Sequence, residues 1–222
     1  MSLQTATNSR KKHMTNHQRT EQYCSYFEEQ LKQIQKLNDR LHKKVLLLVI
    51  LDTLSRVRYP DTKGNKDRFI TLVKDHIQWP DSSRVSLNQI LLLSPSTNLS
   101  ELTKFSRVSV GEWKEWEWPT ISVDPFINEI EHLVATAEET KLLHESTHLN
   151  LLYAYRNHLI HEFREPGNGM ETGQSKPSPH YRPMTHIQPD EQKTSESWEL
   201  IYPLGFFVTL AMSCLKNLKQ YL

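Results

Sequence analysis

Apolar residues recur at three- and four-residue spacing through most of this chain, the mark of helices that each bury one face. Phe27, Leu31, Ile34, Leu41, Val45 and Leu48 keep that spacing from Glu21 to about Arg58, with Asn38-Asp39 as the point where the run divides into two helices. Tyr59-Pro60 and the turn residues Asp61 to Asn65 stop it, because the residue before a proline is pushed out of the helical region. Asp67 to Trp79 resumes the helical period up to Pro80. Residues 81–123 are mixed, with a short helix expected near Leu87 to Leu93 and loops around it. Asp124-Pro125 has the form of a helix opening, Asp as N-cap and Pro in the first helical position, before a run to about Ala137. A second long helix is expected over Thr140 to Phe163, stopped by Pro166-Gly167. Residues 166–197 are rich in Pro, Gly, Ser, Thr and His and read as a loop insertion with room for a short β-hairpin but no core. Trp198 to Leu222 supplies a last, strongly apolar helix that begins near Pro203. Residues 1–20 show no period and read as a flexible basic tail.

These elements predict an all-α protein: one domain over residues 21–222, an antiparallel bundle of four to five main helices joined by short connections. Its 222 residues suffice for a self-supporting core. The 37% hydrophobic and 24% charged residues exclude wholesale disorder and fibrous repeats. Cys24 and Cys214 are the only cysteines and lie far apart, which excludes a disulfide framework and a cysteine zinc site. A cytoplasmic location is the expectation, since the polar first thirty residues hold no apolar segment of the kind a secretory signal needs. Val45 to Leu51 and the broken stretch Leu200 to Met212 fall short of the roughly 18–20 apolar residues of a spanning helix, so no membrane partner is expected. Neither GxGxxG nor GxxxxGK[ST] occurs, so ATP or NAD chemistry is not expected, nor is any cofactor.

Net charge is only +1, but it is unevenly placed. Residues 1–20 hold Arg10, Lys11, Lys12 and Arg19 with no acid. Residues 32–84 hold 12 Lys and Arg against 6 Asp, whereas residues 101–165 hold 6 basic against 12 acidic residues. A dipolar fold is therefore expected, its basic part either a solvated surface or a face that attracts polyanions.

Two histidine motifs compete for the chemistry. His144-Glu145-Ser146-Thr147-His148 has the HExxH spacing that puts two zinc ligands one turn apart with a carboxylate to activate water. A catalytic zinc needs a third protein ligand, and Glu162 and Glu165, the candidates, lie on the same expected helix. The second motif is Arg156-Asn157-His158-Leu159-Ile160-His161. Leu149, Leu152, Tyr153, Leu159, Ile160 and Phe163 project as one apolar stripe with Arg156 at its centre, where a guanidinium needs a partner. Asn150, Asn157 and His161 line the neighbouring strip, as in the wall of a cleft. Asp52 sits in the middle of the stripe formed by Leu41, Val45 and Leu48, which makes it the expected partner of Arg156.

The segment YRNHLIHEFREPG at residues 155–167 resembles the R-x4–6-H motif of the HEPN superfamily, with a polar residue straight after the Arg. The helix ending LLLVILDTLSRVRYP and the final helix opening WELIYP agree in organisation. The resemblance implies a four- or five-helix bundle, commonly a homodimer with two motif helices facing one cleft. It also implies a metal-independent endoribonuclease, although some members bind nucleotides or protein partners without catalysis. Residue by residue, Arg156 fits the motif Arg, Asn157 the polar residue after it, and His161 the motif His. Asp52 is added as an orienting acid. An antitoxin or regulatory partner is a further implication.

RNA carries its own nucleophile, the 2′-OH, so such a site needs a base, an acid and a cation rather than a metal. A histidine, with an ordinary pKa of roughly 6.5, can move the proton, and each such role is typically worth roughly 10²–10⁴-fold. Arg156 would stabilise the charge on the phosphorane oxygens, and Asn157 would position the phosphate or the His. On an ideal helix Arg156 and His161 stand about 140° apart. Convergence requires the reach of the Arg, a distorted last turn or a second protomer, and a dimer meets that need most simply. Three functions follow: an RNA-cleaving enzyme with His and Arg at a homodimer cleft, a non-catalytic HEPN module, or a zinc hydrolase built on HESTH.

Overall fold

A computed structural model of the chain describes residues 15–94, 100–114, 116–167, 171, 176–187 and 194–220. Residues 1–14, most of the expected basic tail, lie outside the described residues. The chain opens with α1 (Asn16–Gln35), α2 (Arg40–Arg58) and α3 (Asn65–His76). The first helix starts at Asn16 rather than Glu21 because Thr15 and Gln18 form a reciprocal cap: Gln18 N–H donates to Thr15 Oγ1 and Thr15 N–H to Gln18 Oε1. The expected division at Asn38-Asp39 is present, and Asp39 caps α2 by accepting from His42 N–H at 2.7 Å.

Next come α4 (Leu87–Leu93), α5 (Glu101–Gly111) and α6 (Ile127–Ile130). The helix expected to run from Asp124-Pro125 to Ala137 is reduced to α6, one turn, and a 3-10 turn at Glu131–Leu133 directly after it. Asp124 is held in extended backbone beside the Arg84–Phe126 bridge, and its carboxylate accepts from Leu87 N–H, at the start of α4. The single helix expected over Thr140 to Phe163 is also corrected, since it divides into α7 (Ala137–Glu145) and α8 (His148–Asn157). Ser146 and Thr147 leave the helix to pair with residues 84–86: Ser86 N–H donates to Ser146 O and His148 N–H to Arg84 O, both at 2.9 Å. Sheet-like pairing takes these groups from the helical ladder.

The insertion forms a hairpin, β1 (His180–Ile187) and β2 (Thr194–Ile201), in register from His180 opposite Ile201 to Ile187 opposite Thr194. It reaches further into the fold than the sequence pattern suggests. Tyr181 is fully buried, and Trp113 packs on both Tyr181 and Trp198. The last helix, α9 (Leu204–Gln220), begins just after Pro203 as expected. The chain is thus mostly helical with a small antiparallel sheet. Among the described residues, no helix is long and apolar enough to cross a membrane.

Two hydrophobic clusters organise these elements. α1, α2, α3, α8 and α9 share the larger, which includes Leu31, Leu51, Phe69, Leu152 and Phe207. The smaller joins Val85, Leu87, Ile90, Leu102, Val110, Ile130 and Leu143, with Trp198 of the hairpin against it. α8 connects the two, beginning beside residues 84–86 and crossing the larger core.

Candidate functional site

Asp52 and Arg156 are brought together where α2 packs on the turn that follows α8. Arg156 Nε donates to Asp52 Oδ1 at 3.2 Å, and Arg156 Nη2 donates to Asp52 Oδ2. The side chains are 5% (Arg156) and 14% (Asp52) exposed, so the pair is drawn largely out of water and needs this two-point geometry. Arg156 Nη1 donates to Asn157 Oδ1 at 2.8 Å and lies 3.5 Å from His161 Nε2. All four expected site residues therefore meet. Asn150 does not join them, because its amide donates to His144 O and Thr147 Oγ1 at the junction of α7 and α8.

The angular separation of Arg156 and His161 is overcome within one chain. After Asn157 the helix widens into a π-turn at His158–Glu162, in which residues five apart come into line. His161 is carried round to Arg156 and left exposed, while Leu159 of the same turn is buried in the larger core. The turn ends at Phe163, whose φ of 53° is left-handed, uncommon for so bulky a residue. That reversal turns Phe163 outward, off the apolar stripe where the period places it, and its ring meets His42 of α2 edge-on.

Lys44 is the residue of this neighbourhood that sequence reasoning missed. Its side chain is fully buried, with Nζ 2.7 Å from Glu165 Oε1 and 3.0 Å from Glu171 Oε2. Tyr155 OH lies 3.4 Å from the same nitrogen. Burial first, and then the Glu165 carboxylate, raise the Tyr155 pKa well above its ordinary 10, so the hydroxyl stays a donor. The signal was legible: Lys44, Leu47, Leu48 and Leu51 share one face of α2 at helical spacing, and all four are buried.

The HESTH segment is not one helical motif. His144 is an exposed residue of α7, and His148 is the first residue of α8, with no exposure. His148 Nε2 lies 2.8 Å from Asp124 Oδ2, which also accepts from Tyr181 OH at 2.5 Å. The tyrosine and Ser86 hydroxyls are 2.8 Å apart. These groups tie residues 86, 124, 148 and 181 together with no access for a substrate. Burial and then the Asp124 charge drive the Tyr181 pKa well above 10. Among the described residues, no group of three His, Cys, Asp or Glu is arranged to hold a metal ion.

The chain matches no known protein family, no curated protein and no solved structure.

Proposed function

We propose that the chain is a HEPN-like, metal-independent endoribonuclease in which Arg156 and His161 act on one phosphodiester. The observation that carries this reading is the 3.5 Å approach of Arg156 Nη1 to His161 Nε2 across the π-turn, where a buried guanidinium meets an exposed histidine. Asp52 and Asn157 fix the plane of the guanidinium, a cation held in advance of the charge that develops on phosphorane oxygens. His161 stands at the surface and takes the proton of the 2′-OH or returns one to the 5′ oxygen. The bond from the 2′ oxygen to phosphorus forms and the bond to the 5′ oxygen breaks. The products are a 2′,3′-cyclic phosphate and a free 5′-hydroxyl.

Two surface features support this reading. Arg40 and Arg56 on α2 are exposed, and Arg56 lies one turn beyond Asp52, placed to hold a flanking phosphate. Leu46 and Val49 of α2 and Phe163 are 39%, 41% and 49% exposed, an apolar border near the turn that a second copy in a homodimer would cover. An antitoxin-like regulator would compete for that border.

The alternative, a non-catalytic module that binds a nucleotide or a protein, is favoured by one observation. Asp52, Asn157 and His161 already engage much of the Arg156 guanidinium, which suits holding a ligand as well as cleaving one. Incubating the protein with mixed RNA, with and without EDTA, separates the readings. Cleavage that survives EDTA and leaves cyclic phosphate ends supports the nuclease. Intact RNA with retained nucleotide binding supports the module.

A further inference from the structure

We propose that Lys44 is a positioning residue for the Arg156–His161 site: clasped by Glu165 and Glu171, it holds the exit of the π-turn against α2 and so keeps His161 beside Arg156. This inference rests on the proposed function for its catalytic consequence, but its structural part stands alone.

A fully buried ammonium is costly unless paired, and nothing in the packing of α2 requires one. Leu47, Leu48 and Leu51 already supply that face. What Lys44 adds is a grip on segments that the helices do not hold. Glu165 lies three residues after the π-turn, which itself ends in left-handed backbone at Phe163. Glu171 belongs to the insertion, and its Oε2 also accepts from Leu204 N–H at the start of α9, at 2.9 Å. One nitrogen therefore joins α2, the exit of the turn and, through Glu171, the last helix. Tyr155 and Phe207 complete its surroundings, each ring centroid 5.8 Å from Nζ.

The grip has a direction. α2 runs antiparallel to α8 and its turn, so Asp52 holds the Arg156 end while His42 and Lys44 hold the exit at Phe163 and Glu165. His161 lies between the two holds. Without the second, the π-turn is free to relax to ordinary α-helical geometry, in which His161 swings about 140° from Arg156. A misplacement of about 1 Å at a reacting group costs on the order of 10²-fold in rate.

The test uses the full chain carrying Lys44→Met with Glu165→Gln and Glu171→Gln, which removes the ammonium without stranding either carboxylate. Histidine imidazole resonances are read by NMR and assigned with His161→Gln. The His161 signals should leave their wild-type positions, while those of His148, held by Asp124, should stay and report an intact fold. Cleavage by the variant should fall about 100-fold in kcat with KM little changed. Glu165→Gln alone, a milder lesion, should move the same signals less. Unmoved His161 signals in either folded variant would overturn the proposal. A wild-type protein that cleaves no RNA would refute the nuclease reading, and the resonance shifts would still decide whether Lys44 holds the turn.

Discussion

Asp52 of α2 and Arg156 of α8, 104 residues apart in sequence, meet in a two-point ion pair that bridges two helices of the larger core. Because both side chains are mostly buried, removing either leaves an uncompensated charge, while removing both removes the need for compensation. Asp52→Ala and Arg156→Ala should each destabilise by roughly 3–5 kcal/mol, and the double variant by much less than the sum. Denaturant unfolding of the four proteins in the cycle measures this. Additive losses would show that the two are not partners.

This pair was legible in the sequence because helical projection places each charge on an apolar stripe, and two stranded charges imply each other. The helices α1 to α4 and α9 were legible for the same reason. What failed was long-range pairing that overrides local signals. Asp124-Pro125 looks like a helix opening, yet the Asp124 carboxylate serves α4, His148 and Tyr181 instead. Thr140 to Phe163 has a continuous period, yet the bridge between Val85 and Thr147 divides it. The π-turn leaves no periodic trace, so spacing offered a distorted last turn as only one of three routes to the approach of Arg156 to His161 and favoured a second protomer as the simplest.

The divided HESTH segment gives its two histidines different weights. His148→Ala strips a buried donor from Asp124 and should cost roughly 1–3 kcal/mol, whereas exposed His144→Ala should stay within about 0.5 kcal/mol of wild type. Thermal unfolding of both variants distinguishes them. Neither should lower RNA cleavage measured below its melting temperature, and the purified protein should carry less than one zinc per chain.

Acid should weaken the fold through buried imidazoles. Burial, reinforced at His76 by the Arg58 charge, holds the His76 pKa below its ordinary 6.5, and burial does the same to His180. Both groups therefore bind protons more readily in the unfolded chain. The stability they contribute is full above pH 6.5 and is lost as the pH falls through their lower folded values. The melting temperature should drop between about pH 7 and pH 5, and His76→Gln with His180→Gln should flatten that drop. An unchanged profile would contradict the assignment.

Since the π-turn supplies Arg156 and His161 from one chain, mixing inactive Arg156→Ala and His161→Ala proteins should not restore cleavage, even where the two chains associate. Recovery of substantial activity in the mixture would place the Arg and His of one site on different protomers.

The most direct test of the account is the cleavage of a defined RNA by wild-type and His161→Ala proteins in EDTA, with a matched substrate carrying a single 2′-deoxy at the scissile position. Wild type should cut the RNA to a 2′,3′-cyclic phosphate and spare the deoxy substrate, and His161→Ala, still folded, should be slower by about 10²-fold or more. Full activity in His161→Ala, or undiminished cutting of the deoxy substrate, would contradict it.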